Sequence, residues 1–140
     1  MPLVAFTLVL ALVLLAALHA YWGLGGRWPG HDDASLVERV VGRTAGMRAP
    51  SPLACFGVTF ALIAAAGLVG LHTYRVPTGW AELLVALSYW CAALVFLIRG
   101  LAGFVPSAFR YAEGTPFYRL NRTYYAPLCL LIAAGFAAAW

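Results

Sequence analysis

Residues 99–129 read R-G-L-A-G-F-V-P-S-A-F-R-Y-A-E-G-T-P-F-Y-R-L-N-R-T-Y-Y-A-P-L-C. This stretch contains four of the nine arginines, three prolines and seven Phe or Tyr residues, and it lies between two segments that are almost wholly apolar. Aromatic rings collect at the headgroup level of a bilayer, where arginines can remain hydrated. The stretch therefore predicts the cytoplasmic face of a small four-helix membrane protein.

The composition of the whole chain agrees with a membrane location. Of its 140 residues, 64% are hydrophobic and only 10% are charged, whereas about a quarter of the residues in a soluble domain are charged. The positive charge comes from nine Arg against five acidic residues, with no Lys. In a membrane protein this excess indicates topology and contact with anionic lipids. We therefore expect membrane lipids as partners and no nucleic acid.

Four apolar runs are long enough, or nearly so, to cross a bilayer, which takes about 20 helical residues. They cover residues 3–24, 53–72, 80–101 and 124–140. The first run is not expected to be a signal peptide, because no basic residue precedes it and L-H-A is a poor cleavage site. The pattern predicts an all-α membrane protein with four transmembrane helices in an antiparallel bundle, as a single domain over 1–140.

The two longer connections, 25–52 and 102–123, are more polar. In the first of them, Ser35 and Glu38 fit a capping box at the start of a helix. Apolar residues then recur at helical spacing, at Leu36, Val37, Val40 and Val41. This pattern favours a short amphipathic helix lying on the bilayer with its apolar side down, and a solvated loop with one frayed turn is the alternative.

The arginines predict the orientation. The two long connections and their helix ends contain eight arginines, and the opposite side contains only Arg75. Because positively charged loops stay in the cytoplasm, we expect both long loops to be cytoplasmic and both termini to be periplasmic or extracellular. The expected location is the bacterial cytoplasmic (inner) membrane.

Two segments carry a resemblance to a known family. R-G-x-x-G-F at 99–104, F-R at 109–110 and E-G-T-P-F-Y-R-L-N-R-T-Y-Y-A-P-L-C-L at 113–130 form one, and L-H-A-Y-W-G-L-G-G-R-W-P at 18–29 forms the other. Together they resemble domain-of-unknown-function family 3995, a family of short bacterial membrane proteins. The resemblance implies a four-helix membrane architecture and no established activity. It would also place acidic residues at two positions where this chain has Gly103 and Asn121.

Arg99 is the most informative single residue. An arginine at the centre of a membrane helix costs about 2.5 to 3.5 kcal/mol, and less where it can reach the surface, so Arg99 should have partners or face water. We predict that it bonds to groups of the third loop, residues 102–123, or of the fourth predicted helix, residues 124–140. It either ties that loop to the bundle or forms a site for an anion or a lipid headgroup. The candidate residues of this site are Arg99, His19, Trp22, Arg27, Asn121, Tyr124 and Tyr125, with Glu113 as a further partner.

The remaining polar residues indicate little chemistry. His19 could ligate haem or chlorophyll, but His72 lies at the opposite surface, so the two cannot clamp one haem. No metal site is predicted, since the cluster at 31–33 suits a solvated loop and helix cap better. The cysteines, which stand apart within apolar runs, are expected to be core residues: Cys55, Cys91 and Cys129.

No nucleophile and base, phosphate loop or carboxylate pair is visible, so the sequence leans against an enzyme. Two functions remain. The first is a non-enzymatic accessory or assembly subunit that packs against a larger membrane complex or another copy of itself through faces of small residues. The second is a cytoplasmic-face binding protein or enzyme for an anionic amphiphile, such as a lipid, a quinone precursor or an isoprenoid phosphate.

Overall fold

The computed structural model describes residues 2–140, and this part of the chain is helical with no strand. In chain order the helices are α1 (Pro2–Gly23), α2 (Asp33–Val40), α3 (Pro52–Thr73), α4 (Glu82–Ala102), α5 (Pro116–Leu120) and α6 (Ala126–Ala139). Short 3-10 turns occupy Ala45–Met47, Gly79–Ala81 and Pro106–Ala112, and a π-helical turn, Asn121–Tyr125, joins α5 to α6.

Four segments are long and apolar enough to cross a membrane, as predicted. They are Leu3–Gly23, Pro52–Thr73, Gly79–Ala102 and Pro116–Ala139, and their most apolar windows have mean hydropathies of 1.2 to 2.6. The architecture is therefore that of a multi-pass membrane protein.

The fourth membrane-spanning helix, called the fourth helix below, comprises α5, the π-helical turn and α6, and it begins earlier than expected. The sequence suggested a start at Tyr124, whereas the helix runs continuously from Pro116. Proline is well tolerated in the first helical turn, where its missing N–H would have no partner in any case. The polar residues that follow, Arg119 to Arg122, are therefore part of the helix.

The bundle has a definite neighbour order. α1 packs along α3 and more lightly against α6, and α6 packs along α4, while α3 and α4 touch far less. Tyr89 of α4 and Phe136 of α6 lie at the centre, each with no exposed surface. The hydroxyl of Tyr89 donates to the carbonyl of Phe136 at 2.7 Å. Because the short connection after α3 brings α4 back beside it, the two are antiparallel as predicted, although α4 packs mainly on α6.

The start of α2 differs from the prediction. Asp32, in an extended conformation, is the N-cap, and its carboxylate accepts from the backbone N–H of Ser35 at 2.8 Å. The Ser35 hydroxyl accepts in return from the N–H of Asp32 at 3.1 Å. Ser35 is thus the third residue of a capping box and not its first, so the proposed Ser35–Glu38 box is wrong. Aspartate is a strong N-cap, and it starts the helix a turn earlier.

The apolar side of α2 also faces a different surface from the expected one. The short amphipathic helix exists, but Leu36 and Val37 are 1% and 0% exposed inside the protein, and α2 packs against α5. Three hydrogen bonds join the segment to the third loop and the fourth helix: Tyr125 to the Arg39 carbonyl, Tyr111 to the Val41 carbonyl, and Arg43 to the Glu113 carbonyl. The apolar side of α2 is therefore covered by the chain itself and not by lipid.

Candidate functional site

Arg99 lies in the last turn of α4 and is half-buried. Its Nη2 donates to Oδ1 of Asn121 at 2.7 Å. The prediction that Arg99 bonds to the third loop or the fourth helix is thereby confirmed. The bond links two helices across a separation of 22 residues in the sequence, so it closes the end of the α4–α6 hairpin.

Asn121 is 1% exposed and makes two further contacts. Its Nδ2 donates to the carbonyl of Gly103 at 3.3 Å, and its own carbonyl accepts from the N–H of Ala126 in the π-helical turn. An amide can accept from a guanidinium and donate to a carbonyl at the same time, whereas a carboxylate can only accept. The asparagine therefore suits this position better than the acidic residue that the resemblance led us to expect.

Gly103 has no room for a side chain. A Cβ atom at this position would collide with the Cβ of Ala126 and approach Nδ2 of Asn121 at 3.3 Å. The backbone of the turn after α4 thus lies directly on the fourth helix, which brings the Gly103 carbonyl within reach of Asn121.

The guanidinium of Arg99 also lies over the ring of Phe109, with Cζ 5.1 Å from the ring centroid. Such a cation–π contact is stabilising within about 6 Å. The Nη1 atom of Arg99 is buried and has no hydrogen-bond partner within the described residues. The Nη1 group of the guanidinium can therefore still donate to an acceptor, and an anionic oxygen is the acceptor that a guanidinium binds best.

His19 and its neighbours form a second group at the end of α1. The His19 ring lies 5.0 Å from the Trp22 ring, and its Nδ1 bonds to the Leu15 carbonyl at 2.8 Å. A carbonyl only accepts, so Nδ1 carries the proton and Nε2 is the nitrogen that could bind a ligand. The Trp22 ring donates to the Trp28 carbonyl at 2.6 Å.

The predicted site residues therefore fall into separate groups. Arg27 pairs with Asp33 at 2.7 Å in an exposed position, Tyr124 is 63% exposed, and Tyr125 bonds to the Arg39 carbonyl. α1 packs on α3 and α6, whereas α4 packs mainly on α6. Among the described residues no hydrogen bond connects His19 to Arg99. Within residues 2–140, Arg99 and Asn121 are the only two of the predicted set that share a side-chain hydrogen bond, and His19 and Trp22 are in ring contact.

Sequence reasoning missed Phe109 as a partner of Arg99 and Arg39 as a partner of Tyr125. Neither pair has a local signal, because ten residues separate the first and 86 residues separate the second. Within residues 2–140, His, Cys, Asp and Glu form no group of three that could hold a metal ion. The sequence predicted no cofactor, and haem or chlorophyll ligation by His19 stays the alternative to that prediction.

The comparisons with known proteins give one match. The model of the family described as "Protein of unknown function (DUF3995)" matches residues 12–136, and thus most of the chain. Neither a curated protein nor a solved structure matches.

Proposed function

We propose that this chain, which belongs to the DUF3995 family and inherits no established activity from it, is a non-enzymatic accessory subunit of a larger complex in the bacterial cytoplasmic membrane. In this proposal both termini are periplasmic or extracellular. The partner is a transmembrane helix of another subunit, and it docks on the outer face of α3.

The observation that carries the proposal is the small-residue face of α3, formed by Gly57, Ala61, Ala64 and Gly67. Phe60, 77% exposed, is a bulky residue on the same side of the helix. All four small residues are exposed, and a Cβ atom added at Gly57 or Gly67 would meet nothing within 4 Å. Lipid tails are as apolar as leucine, so hydrophobicity alone does not drive helices together in a membrane. Small residues allow two backbones to approach closely, and the packing that results favours association.

Other small residues of the bundle already pack against side chains of the same chain. Gly103 lies against Ala126, and Gly135 of α6 lies against Leu8 of α1, with 3.3 Å between its added Cβ and the leucine Cδ1. The bundle thus fills these close approaches with its own side chains. The small-residue face of α3 has no such partner within the described residues, which supports an external helix at this face.

The test compares two leucine substitutions. Gly67→Leu blocks close approach at the small-residue face, and Ala134→Leu adds the same side chain at an exposed position of α6. We expect the wild-type protein and Ala134→Leu to copurify with a larger membrane assembly in mild detergent or native-lipid nanodiscs. Gly67→Leu should lose most of the partner while the chain itself stays folded. A wild-type monomer without a copurifying protein at cellular expression level would overturn the proposal.

A second function is favoured by the unpaired Nη1 of Arg99. In this alternative the cytoplasmic end of α4 binds the anionic group of a lipid, a quinone precursor or an isoprenoid phosphate. Purification followed by mass spectrometry distinguishes the two functions. A bound anionic amphiphile that is lost in Arg99→Lys, without any protein partner, would favour the second.

A further inference from the structure

An open cavity of about 460 Å³ lies at the end of the bundle opposite to Arg99. The end of α3, the start of α4 and the last residue of the chain surround it. Its polar lining consists of His72, Arg75, Thr78 and Glu82, and its apolar lining includes Leu71, Val85, Ala86, Tyr89 and Trp140. The volume falls within the range of about 300 to 1,000 Å³ that is typical of ligand pockets.

Two opposite charges line this cavity without neutralising each other. Arg75 and Glu82 are both exposed, and within the described residues neither side chain forms an ion pair or a hydrogen bond. A cavity with one unpaired cation and one unpaired anion suits a ligand that carries both charges. It is less suited to a simple anion, which Glu82 would repel.

The backbone of Arg75 is in the left-handed region, with φ +48°. It follows the end of α3, where the N–H of Arg75 donates to the His72 carbonyl and the N–H of Val76 donates to the Leu71 carbonyl. Glycine is the usual residue at such a helix end, because a side chain disfavours this conformation. An arginine at this position is less favourable for the backbone than a glycine would be, and this cost points to a functional role for its side chain.

The apolar wall of the cavity is fixed by aromatic packing. The indole of Trp140 stacks on the His72 ring at 4.1 Å with an interplanar angle of 10°, and the Tyr89 ring lies 5.0 Å from it. The Tyr89 hydroxyl is held by the Phe136 carbonyl. The apolar part of the lining, which includes Leu71, Val85 and Ala86, offers a surface for the apolar part of a ligand.

We propose that this cavity binds a phospholipid whose headgroup combines a phosphate with a primary amine, as in phosphatidylethanolamine. Arg75 binds the phosphate oxygens, Glu82 accepts from the ammonium group, and the acyl chains contact the apolar lining at Leu71, Val85 and Ala86. Both contacts are charge-assisted hydrogen bonds, which are the stronger kind. This site lies at the other end of the bundle from Arg99 and does not depend on the small-residue face of α3.

The test measures retained lipids by native mass spectrometry. The protein is released from mixed micelles that hold equal amounts of phosphatidylethanolamine and phosphatidylglycerol, two lipids that share the phosphate and differ in the amine. For the wild-type chain we expect about ten-fold more of the ethanolamine adduct, the ratio that one modest charge-assisted contact gives. Equal retention of both lipids, as for non-specific surface lipid, would overturn the proposal.

Three variants separate the contributions. Glu82→Gln should lose the preference but keep a bound phospholipid, because the phosphate contact remains. Arg75→Gly should lose both adducts, while its thermal stability should not fall, since glycine relieves the strained backbone. Arg48→Gln, which removes an exposed arginine from the first loop, should behave as the wild type. A preference that persists in Glu82→Gln, or full retention in Arg75→Gly, would contradict the assignment whatever the stability of the variants.

Discussion

The guanidinium of Arg99 and the amide of Asn121 meet at 2.7 Å, and Asn121 in turn reaches the carbonyl of Gly103. These hydrogen bonds therefore join the end of α4, the turn that follows it and the fourth helix at one point. This point lies where the chain leaves the apolar part of the bundle for the loop of 3-10 turns. We expect the stability of the α4–α6 hairpin to depend on it.

Arg99→Ala should lower the stability of the protein in detergent by about 1 to 3 kcal/mol, because it leaves the buried Asn121 oxygen without its donor. Arg99→Lys should recover little, since a point charge cannot replace the planar fork. Thermal unfolding followed by circular dichroism measures both. Arg122→Ala, which removes an exposed arginine next to Asn121 in the π-helical turn, serves as the control and should change little.

The coupling between the two residues can be measured directly. In a double-mutant cycle, Arg99→Ala and Asn121→Ala should show an interaction energy of about 0.5 to 3 kcal/mol, the range for residues in contact. If the two effects simply add, the bond does not stabilise the fold, and a role of Arg99 in ligand binding gains support.

Gly103→Ala should destabilise the protein by about 1 to 3 kcal/mol, as expected when atoms are forced into a packed site. The added methyl group would collide with Ala126, whose own Cβ is fixed to the helix backbone. Gly67→Ala is the matched control, because nothing lies near its added methyl group. It should stabilise α3 by about 0.5 to 1 kcal/mol, the usual gain of alanine over glycine within a helix. Equal behaviour of the two variants would show that the turn after α4 does not lie on the fourth helix.

Cysteine labelling in intact cells tests the orientation. In a background without the native cysteines, Ala34→Cys and Ser107→Cys lie in the two long loops, and Tyr74→Cys lies at the opposite end. All three positions are exposed. We expect an impermeant thiol reagent to modify only the third, because eight of the nine arginines lie at the end of the bundle that carries the first two, and positively charged loops stay in the cytoplasm. Modification of the loop positions from outside would reverse the orientation.

The cap of α2 should be lost in acid. Hydrogen bonds from the side chain and backbone N–H of Ser35 hold the pKa of Asp32 below its usual value of 3.8, with smaller help from His31. A lowered pKa means that the folded state prefers the carboxylate, so the cap gives its full stabilisation above the pKa that Asp32 has in the unfolded chain. This stabilisation is lost as the pH falls through the lower pKa that Asp32 has in the folded protein.

NMR can follow this loss through the amide signals of α2 and the Asp32 carboxyl carbon. We expect the carboxyl carbon to titrate below pH 3.8, and the α2 amides to lose protection from exchange in the same range. Asp32→Asn keeps an acceptor for the Ser35 N–H and cannot titrate, so its α2 should be insensitive to pH there. Acid sensitivity that remains in Asp32→Asn would assign the effect to another group.

Much of the architecture was predictable because it depends on local composition. Apolar length predicted four crossing helices, and the cost of an arginine within such a helix correctly predicted that Arg99 would have partners near Asn121. The start of the fourth helix was not predictable by apolar length, because 116–123 is polar. Two buried side chains hold this segment in place: Phe117 packs against Phe109 and Tyr125, and Asn121 bonds to Arg99.

The grouping of the site residues was less predictable, because it depends on the order of helices around the bundle. His19 and Arg99 were expected near the same membrane surface, but their helices share few contacts. The cavity beside Arg75 was missed for a different reason. The left-handed backbone of Arg75 and the stacking of Trp140 on His72 leave no trace in hydropathy or charge spacing.

The π-helical turn has a consequence for the whole fourth helix. The buried positions before it, Phe117 and Asn121, are four residues apart, but the next buried position is Ala126, five residues on. One extra residue rotates everything after it by about 100° relative to an uninterrupted α-helix. The turn therefore sets the phase between two contact surfaces: upstream residues face α2 and Arg99, and downstream residues such as Phe136 face the bundle core. Removing a single residue here would leave a continuous helix in which only one of these surfaces could be in register.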